Sequence, residues 1–362
     1  MKLIRKYRAI LRAALPALLL GATIACAQAA PSLPKIKVLA TGGTIAGAQT
    51  SQAEAGYKSG AFSVDDLIKA VPQLKKIAEL SGEQIANIGS QTMTHDVWLK
   101  LAARVNEALA TGDADGVVIT HGTDTLEETG YFLSLVVKSA KPVVLVGSMR
   151  PATAISADGP INLYNAVALA GDPRASGQGP LILLNDTIHY AREAQKTHTT
   201  RMDTFASPNR GIAGMMNTGK AFFYSANASR HTTRSEFSID GLSAGKLPRV
   251  EVVYSYANLD GAIIDALVDL GVKGIVLAGV GDGNTTDAAL AALERAAKKG
   301  LAVVRSSRTG SGIVDRNVEV NDDKLGFIAG MELNPQKARI LLMLGLTKTT
   351  DTRALQQYFY EY

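Results

Sequence analysis

The sequence predicts an α/β protein: a larger N-terminal domain built on a mostly parallel, helix-covered sheet, followed by a smaller C-terminal α/β domain. Three observations predict it. Continuous apolar runs such as GVVIT at 116–120 lack the polar–apolar alternation of a strand with one wet face. Segments with apolar residues at helical spacing separate these runs. A polar, glycine-containing stretch at 227–248 interrupts the alternation once, after which it resumes. Buried strands alternating with helices make a parallel sheet covered on both faces. The expected division is therefore 30–226 for the first domain, 227–248 for a linker and 249–362 for the second domain.

The elements follow in order. A strand is expected at 36–40, ending on the pair Gly42-Gly43. A helix at 63–70 starts with Ser63 as N-cap, and Asp65 and Asp66 in its first turn complement the helix dipole. Apolar spacing predicts a helix at 97–110, a strand at 116–120, a helix at 125–138 and a strand at 142–147. A helix at 162–170 and a strand at 180–184 complete the first half. In the second half, strands are expected at 250–254, 274–278 and 302–305, with helices at 263–270 and 288–299 between them. Helices at 334–346 and 354–360 close the chain.

The first 29 residues stand apart. Lys2, Arg5, Lys6, Arg8 and Arg12 precede an apolar run from Ala13 to Ala25, and Ala27-Gln28-Ala29 has the small-x-small form of a cleavage site. The run is short and contains Pro16, so it reads as a secretory leader rather than a membrane span. Cys26 offers a lipid-attachment alternative, but Thr23-Ile24-Ala25-Cys26 makes a poor attachment box. Removing the five leader bases from 38 leaves 33 basic against 33 acidic residues. That balance shows neither a nucleic-acid nor an anionic-membrane footprint. The single cysteine lies in the leader, so disulfides do not staple the fold. A periplasmic location is expected.

In α/β sheets ligands bind at the carboxyl ends of strands, and TGGTIAG at 41–47 sits at such an end. Its adjacent glycines do not have the G-x-G-x-x-G spacing of a dinucleotide site, and it has no lysine for a phosphate loop. The glycines let backbone and ligand approach closely, leaving Thr44 to project a hydroxyl. A capped strand-to-loop turn is the plainer explanation. THGTDTLEET at 120–129 repeats the arrangement after GVVIT: Gly122, then Thr123, then Asp124. Helix capping explains that stretch too. The repetition favours a site lined by hydroxyls, open backbone N–H groups and one carboxylate. The five histidines have no metal-ligand spacing, so His121 reads as structural rather than as a metal ligand.

At these motifs the sequence resembles the bacterial L-asparaginase family, in particular the secreted (type II) asparaginases and glutaminase-asparaginases. The resemblance runs from about residue 35 to 362. It includes ATGGTIAG, GEQIANIGSQ, VITHGTDTLEETGYFL, VGSMRPATAISADGPINLYNAV, AGVGDGN, VVRSSR and LNPQKARILL. It implies hydrolysis of an amino-acid amide, L-asparagine to L-aspartate and ammonia, without metal or cofactor. It implies that Thr44 is the primary nucleophile, with Tyr57 as its hydroxyl partner. Thr123, Asp124 and Lys196 match a second threonine cluster, and Ser90 and Gln91 match substrate-holding positions. Asn284 and Glu319 match residues that enter a neighbouring subunit's site in a homotetramer.

The chemistry sets its own demands. A threonine hydroxyl needs a neighbouring base, and the developing oxyanion needs donors. A phenol titrating near 10 is an awkward base. The N–H groups of Gly43 and Thr123 are the expected oxyanion or carboxylate donors, and Asp124 and Glu319 suit a substrate ammonium. The competing structural readings are Tyr57 as a packing lid and Lys196 as a solvated surface lysine. Two departures from the family pattern bear on selectivity. Gln91 stands where glutamine-using relatives often have glutamate, which leans toward asparagine. Asp282 stands near Asn284 where many relatives have a neutral residue. The segment at 48–62, rich in small and polar residues, is expected to close over substrate. The competing functions are a glutaminase-asparaginase preferring or equally using glutamine, a periplasmic amino-acid-binding protein, and, disfavoured by glycine spacing, a nicotinamide oxidoreductase.

Overall fold

The computed structural model describes residues 32–51 and 56–362. The expected leader and Cys26 lie outside these residues, as does part of the expected lid. The large sheet has eight strands: β1 (Lys35–Gly42), β2 (Glu79–Ile88), β3 (Gly116–Thr120), β4 (Val143–Val146), β5 (Pro180–Leu184), β6 (Thr187–Tyr190), β7 (Gly214–Asn217) and β8 (Lys220–Phe223). Their spatial order is β8-β7-β6-β5-β4-β3-β1-β2. β2, β1, β3, β4 and β5 run parallel, while β6, β7 and β8 extend the edge antiparallel.

The antiparallel extension is absent from the sequence expectation, and its turns explain why. Leu184 pairs with Thr187 across Asn185 and Asp186, both at positive φ (50° and 60°). Two left-handed residues between paired strands make the tight turn whose twist matches a hairpin. Thr218 and Gly219 repeat it between β7 and β8. Such strands are too short to announce themselves by pattern. β2 was hidden differently: it is an edge strand with only Ile85 fully buried, so it lacks an apolar run.

Four helices cover the large sheet. They are α1 (Val64–Lys69), α2 (His95–Ala110), α3 (Leu126–Val136) and α4 (Gly159–Ala170). Ser63 caps α1 as expected: its hydroxyl accepts from Asp66 N, and the Asp66 carboxylate accepts from Ser63 N. Side chains alternate between faces along the central strands. Val117 and Ile119 join the core under α2 and α3, while Val118 joins the one under α4.

The smaller sheet is wholly parallel: β9 (Val250–Tyr254), β10 (Gly274–Gly279), β11 (Ala302–Ser307) and β12 (Phe327–Ala329). One face carries α5 (Ala262–Asp269) and α6 (Asp287–Lys298). The short α7 (Asp322–Leu325) precedes β12. The other face carries α8 (Pro335–Gly345) and α9 (Thr352–Glu361), and α8 also packs on α3. One apolar core therefore runs from beneath the large sheet to the smaller one. The stretch at 227–248 has only short 3₁₀ turns, but it is not a free tether: Phe237 is buried against Tyr358 and Tyr362. Among the described residues no helix is long and apolar enough to cross a membrane.

Candidate active site

The parallel strand order 2-1-3-4-5 reverses direction between β1 and β3. From β1 the chain crosses one way to β2, and the later strands lie on the other side. At such a switch point the loops leaving adjacent strands diverge and open a crevice at the strand carboxyl ends. β1 and β3 are direct neighbours, with Ala40 paired to Thr120. The two Gly-Thr units therefore meet at one place because of the topology.

After β1, Gly42 and Gly43 have φ of 106° and 82°, a region open to glycine at little cost. The turn must also pass close to the next strand end: a Cβ on Gly43 would lie 2.3 Å from Gly122 N. Thr44 then starts a 3₁₀ turn and is buried. Its Oγ1 shares a 2.7 Å hydrogen bond with the Tyr57 hydroxyl, which arrives on a two-residue ribbon, Tyr57–Lys58 paired with Ala48–Gln49. After β3, Lys196 Nζ donates to Thr123 Oγ1 at 2.9 Å and to Asp124 Oδ1 at 2.6 Å. Lys196 comes from a second ribbon, Gln195–Lys196 paired with Phe205–Ala206. Its side chain is 16% exposed, so it is not a solvated surface lysine.

Thr44, Tyr57, Thr123, Asp124 and Lys196 line one cavity of about 450 Å³. A third strand end completes it. Ser148, Met149, Arg150 and Pro151 follow β4 and line the same cavity. The Asp158 carboxylate accepts from the N–H groups of Met149 and Arg150, each at 2.9 Å, and holds that turn in shape. Sequence reasoning assigned these residues no role. The available signal was Gly147-Ser148, a third glycine–hydroxyl pair directly after a strand. Ile155, Thr199 and Thr200 also line the mouth and had no signal of their own.

Other expected residues fall elsewhere. The Gly43 N–H donates to Ile88 O at 2.9 Å. The expectation of a free donor at that amide is therefore corrected: it ties the loop to β2. Ser90 is buried and braces the second cluster, its Oγ accepting from Asp124 N at 3.1 Å and its carbonyl from Thr125 Oγ1 at 2.8 Å. Neither Ser90 nor the exposed Gln91 lines the cavity. Asn284 and Glu319 belong to the second half of the chain and do not line it either. The Asp282 carboxylate accepts from Asp315 N at 2.8 Å, so it fastens a neighbouring loop. Among the described residues no cluster of His, Cys, Asp and Glu is arranged to hold a metal.

His121 lies beneath the second loop and is fully buried. Gly122 O can only accept, so Nδ1 carries the proton and donates to it at 2.7 Å. Nε2 then accepts from the Thr129 hydroxyl at 2.9 Å, which accepts in turn from Trp98 Nε1 at 2.8 Å. This chain is complete only with a neutral ring. Burial holds His121 down to about 4, and burial of His189 does the same. The unfolded chain, with histidines near 6.5, binds more protons below that pH. Stability is then fully present above about pH 6.5. It falls as pH drops toward 4, by about 1.4 kcal/mol per pH unit for each such histidine. Urea unfolding midpoints at pH 7.5, 6 and 5 should decline in that order, and a flat or rising series would contradict the neutral assignment.

Residues 35–229 match the family model described as asparaginase, N-terminal, and residues 249–359 match the glutaminase/asparaginase C-terminal domain. The chain is 52% identical to L-asparaginase 2 of Bacillus subtilis, over 93% of this chain and 89% of that one. It is 50% identical to the probable periplasmic L-asparaginase of Haemophilus influenzae, over 95% and 97%. The crystal structure of a probable cytoplasmic L-asparaginase from Campylobacter jejuni superposes with a TM-score of 0.88 at 50% identity, covering 91% of this chain and all of that one.

Proposed function

Because the chain belongs to the asparaginase family and is therefore an amidohydrolase of asparagine, we propose that the Thr44 hydroxyl is its nucleophile and that hydrolysis runs through a threonine ester. The supporting observation is that Thr44 Oγ1 and Tyr57 OH, 2.7 Å apart, face the Thr123–Lys196–Asp124 cluster across one cavity. Thr44 Oγ1 attacks the side-chain amide carbon. Its proton passes to the Tyr57 oxygen while the Tyr57 proton goes to the leaving nitrogen, so no free phenolate is needed. Ammonia departs, and water then cleaves the ester to release aspartate. The Thr123 N–H serves as a donor to the oxyanion. Asp124 accepts from the substrate ammonium, a role that fits its exposed carboxylate beside the paired Lys196.

In this reading Ser90 and Gln91 act on substrate from outside the cavity on the β2 side, Ser90 by bracing the Asp124 turn. Asn284 and Glu319 complete the site of a neighbouring copy in a homotetramer; their separation from their own chain's cavity supports supply in trans. The mature chain works in the periplasm, as the leader-like first 29 residues and the periplasmic relative suggest. Asparagine is the preferred amide, with glutamine poorer, on the strength of Gln91.

Side-by-side kinetics test the preference. A cavity fitted to the shorter side chain discriminates one extra methylene by about 10- to 200-fold in kcat/KM. Equal or reversed values would establish the glutaminase reading instead. Stoichiometric binding with no ammonia released would return the chain to the binding-protein class.

A further inference from the structure

The second threonine cluster is gripped from behind by the other half of the chain. Lys337, in the first turn of α8, is 1% exposed. Its Nζ donates to Arg192 O at 2.7 Å and to Ala194 O. Ala194 lies two residues before Lys196. The neighbouring Gln336 donates through Nε2 to Glu127 Oε1 at 2.6 Å. Glu127 stands in the first turn of α3, three residues after Asp124, and is itself buried. Its other oxygen lies 4.0 Å from Lys337 Nζ and has no hydrogen-bond partner. Residues 336 and 337 thus contact both segments that carry the cluster, one through backbone carbonyls and the other through the Glu127 carboxylate.

Local chemistry argues against a lysine here. An ammonium in the first turn of a helix opposes the helix dipole. Burying it is costly, and an apolar residue of similar volume often serves stability as well or better. Burial does press on the charge: Lys337 is held down to about 8. Around it stand Glu127 and Glu128 of α3, Arg192 and Glu193 after β6, and His189 on β6. The position has a use if the ammonium ties the 192–194 turn to α3. Lys196 then reaches Thr123 Oγ1 and Asp124 Oδ1 together.

We propose that Lys337, with Glu127, is a positioning residue for the reaction: it sets the distance between Lys196 and Thr123 from beneath the large sheet. The proposal rests on the catalytic reading of Lys196, and the test separates the two. Lys196→Met, Lys337→Met and the double variant are compared for ammonia release at saturating asparagine, after circular dichroism and thermal unfolding establish that each is folded. Lys337→Met alone is expected to lose about 10- to 100-fold in kcat, the scale of a displacement near one ångström. On the Lys196→Met background it should change kcat less than about twofold, because coupled residues do not add.

If Lys196→Met keeps full activity, the reading beneath the proposal fails. If it is impaired while Lys337→Met matches the natural enzyme, the positioning proposal fails. Equal losses from Lys337→Met on both backgrounds mark a purely structural role and also overturn it. Should Lys337→Met not fold, Glu127→Gln replaces it in the same cycle. It keeps the Gln336 hydrogen bond through its amide oxygen and puts a neutral NH2 in place of the charged oxygen facing Lys337, and the same three outcomes apply.

Discussion

Thr44→Ala is expected to lower ammonia release by about four orders of magnitude or more while leaving the fold intact, as removal of a nucleophile does elsewhere. The substitution removes Oγ1, which hydrogen-bonds the Tyr57 hydroxyl from a residue that lines the cavity. Little else depends on that atom. Its hydrogen-bond partner among the described residues, Tyr57, is 43% exposed and can turn to water, so the stability cost should stay near 1 kcal/mol. Thr44→Ser restores a hydroxyl without the γ-methyl that limits its rotamers, and should recover part of the rate. Saturating asparagine with ammonia detection, alongside thermal unfolding, measures both. A Thr44→Ala enzyme retaining a tenth of the natural rate would remove Thr44 from the mechanism, and a trapped ester on another residue would name its replacement.

Gly43→Ala is expected to damage fold and activity together. At φ 82° any side chain is strained, and the added Cβ would sit 2.3 Å from Gly122 N and 2.5 Å from Gly122 Cα. Those atoms are backbone and cannot swing aside. The strain and the overlap together should cost about 2–5 kcal/mol. Relief requires the β1 and β3 loops to part, and those loops carry Thr44 and Thr123. Activity should therefore fall more than stability predicts, by about a hundredfold or more, since small misplacements of reacting groups are expensive. Urea unfolding and kcat together check it. A stable Gly43→Ala enzyme with natural kcat would show that the two loops need not be in contact.

The site lies in strand-end loops, where a rigid sheet sets the geometry and the loop residues supply the chemistry. Five of the expected residues converge on one cavity, but the reasons differ. Thr44 and Thr123 were legible because each follows a glycine after a buried strand. Tyr57 and Lys196 sit on two-residue ribbons with no pattern of their own, and only the family resemblance pointed to them. Ser90 shows the limit of motif reading. Its hydroxyl accepts from the Asp124 amide, so it shapes the cluster from outside the cavity.

The sequence alone determined the elements whose signal is local. The buried parallel strands, the capped helices and the glycine-hydroxyl turns follow from periodicity, side-chain capping and the conformational range of glycine, all of which act over a few residues. The tertiary structure decided what depends on distant neighbours. It showed β2 as a half-exposed edge, the antiparallel β6–β8 extension, the Gly43 amide spent on Ile88, the turn held by Asp158, and Lys337 reaching across from α8. A hydrogen bond or a buried charge is specified by where two remote segments come to rest. That is settled by topology and packing, which no short stretch of sequence contains.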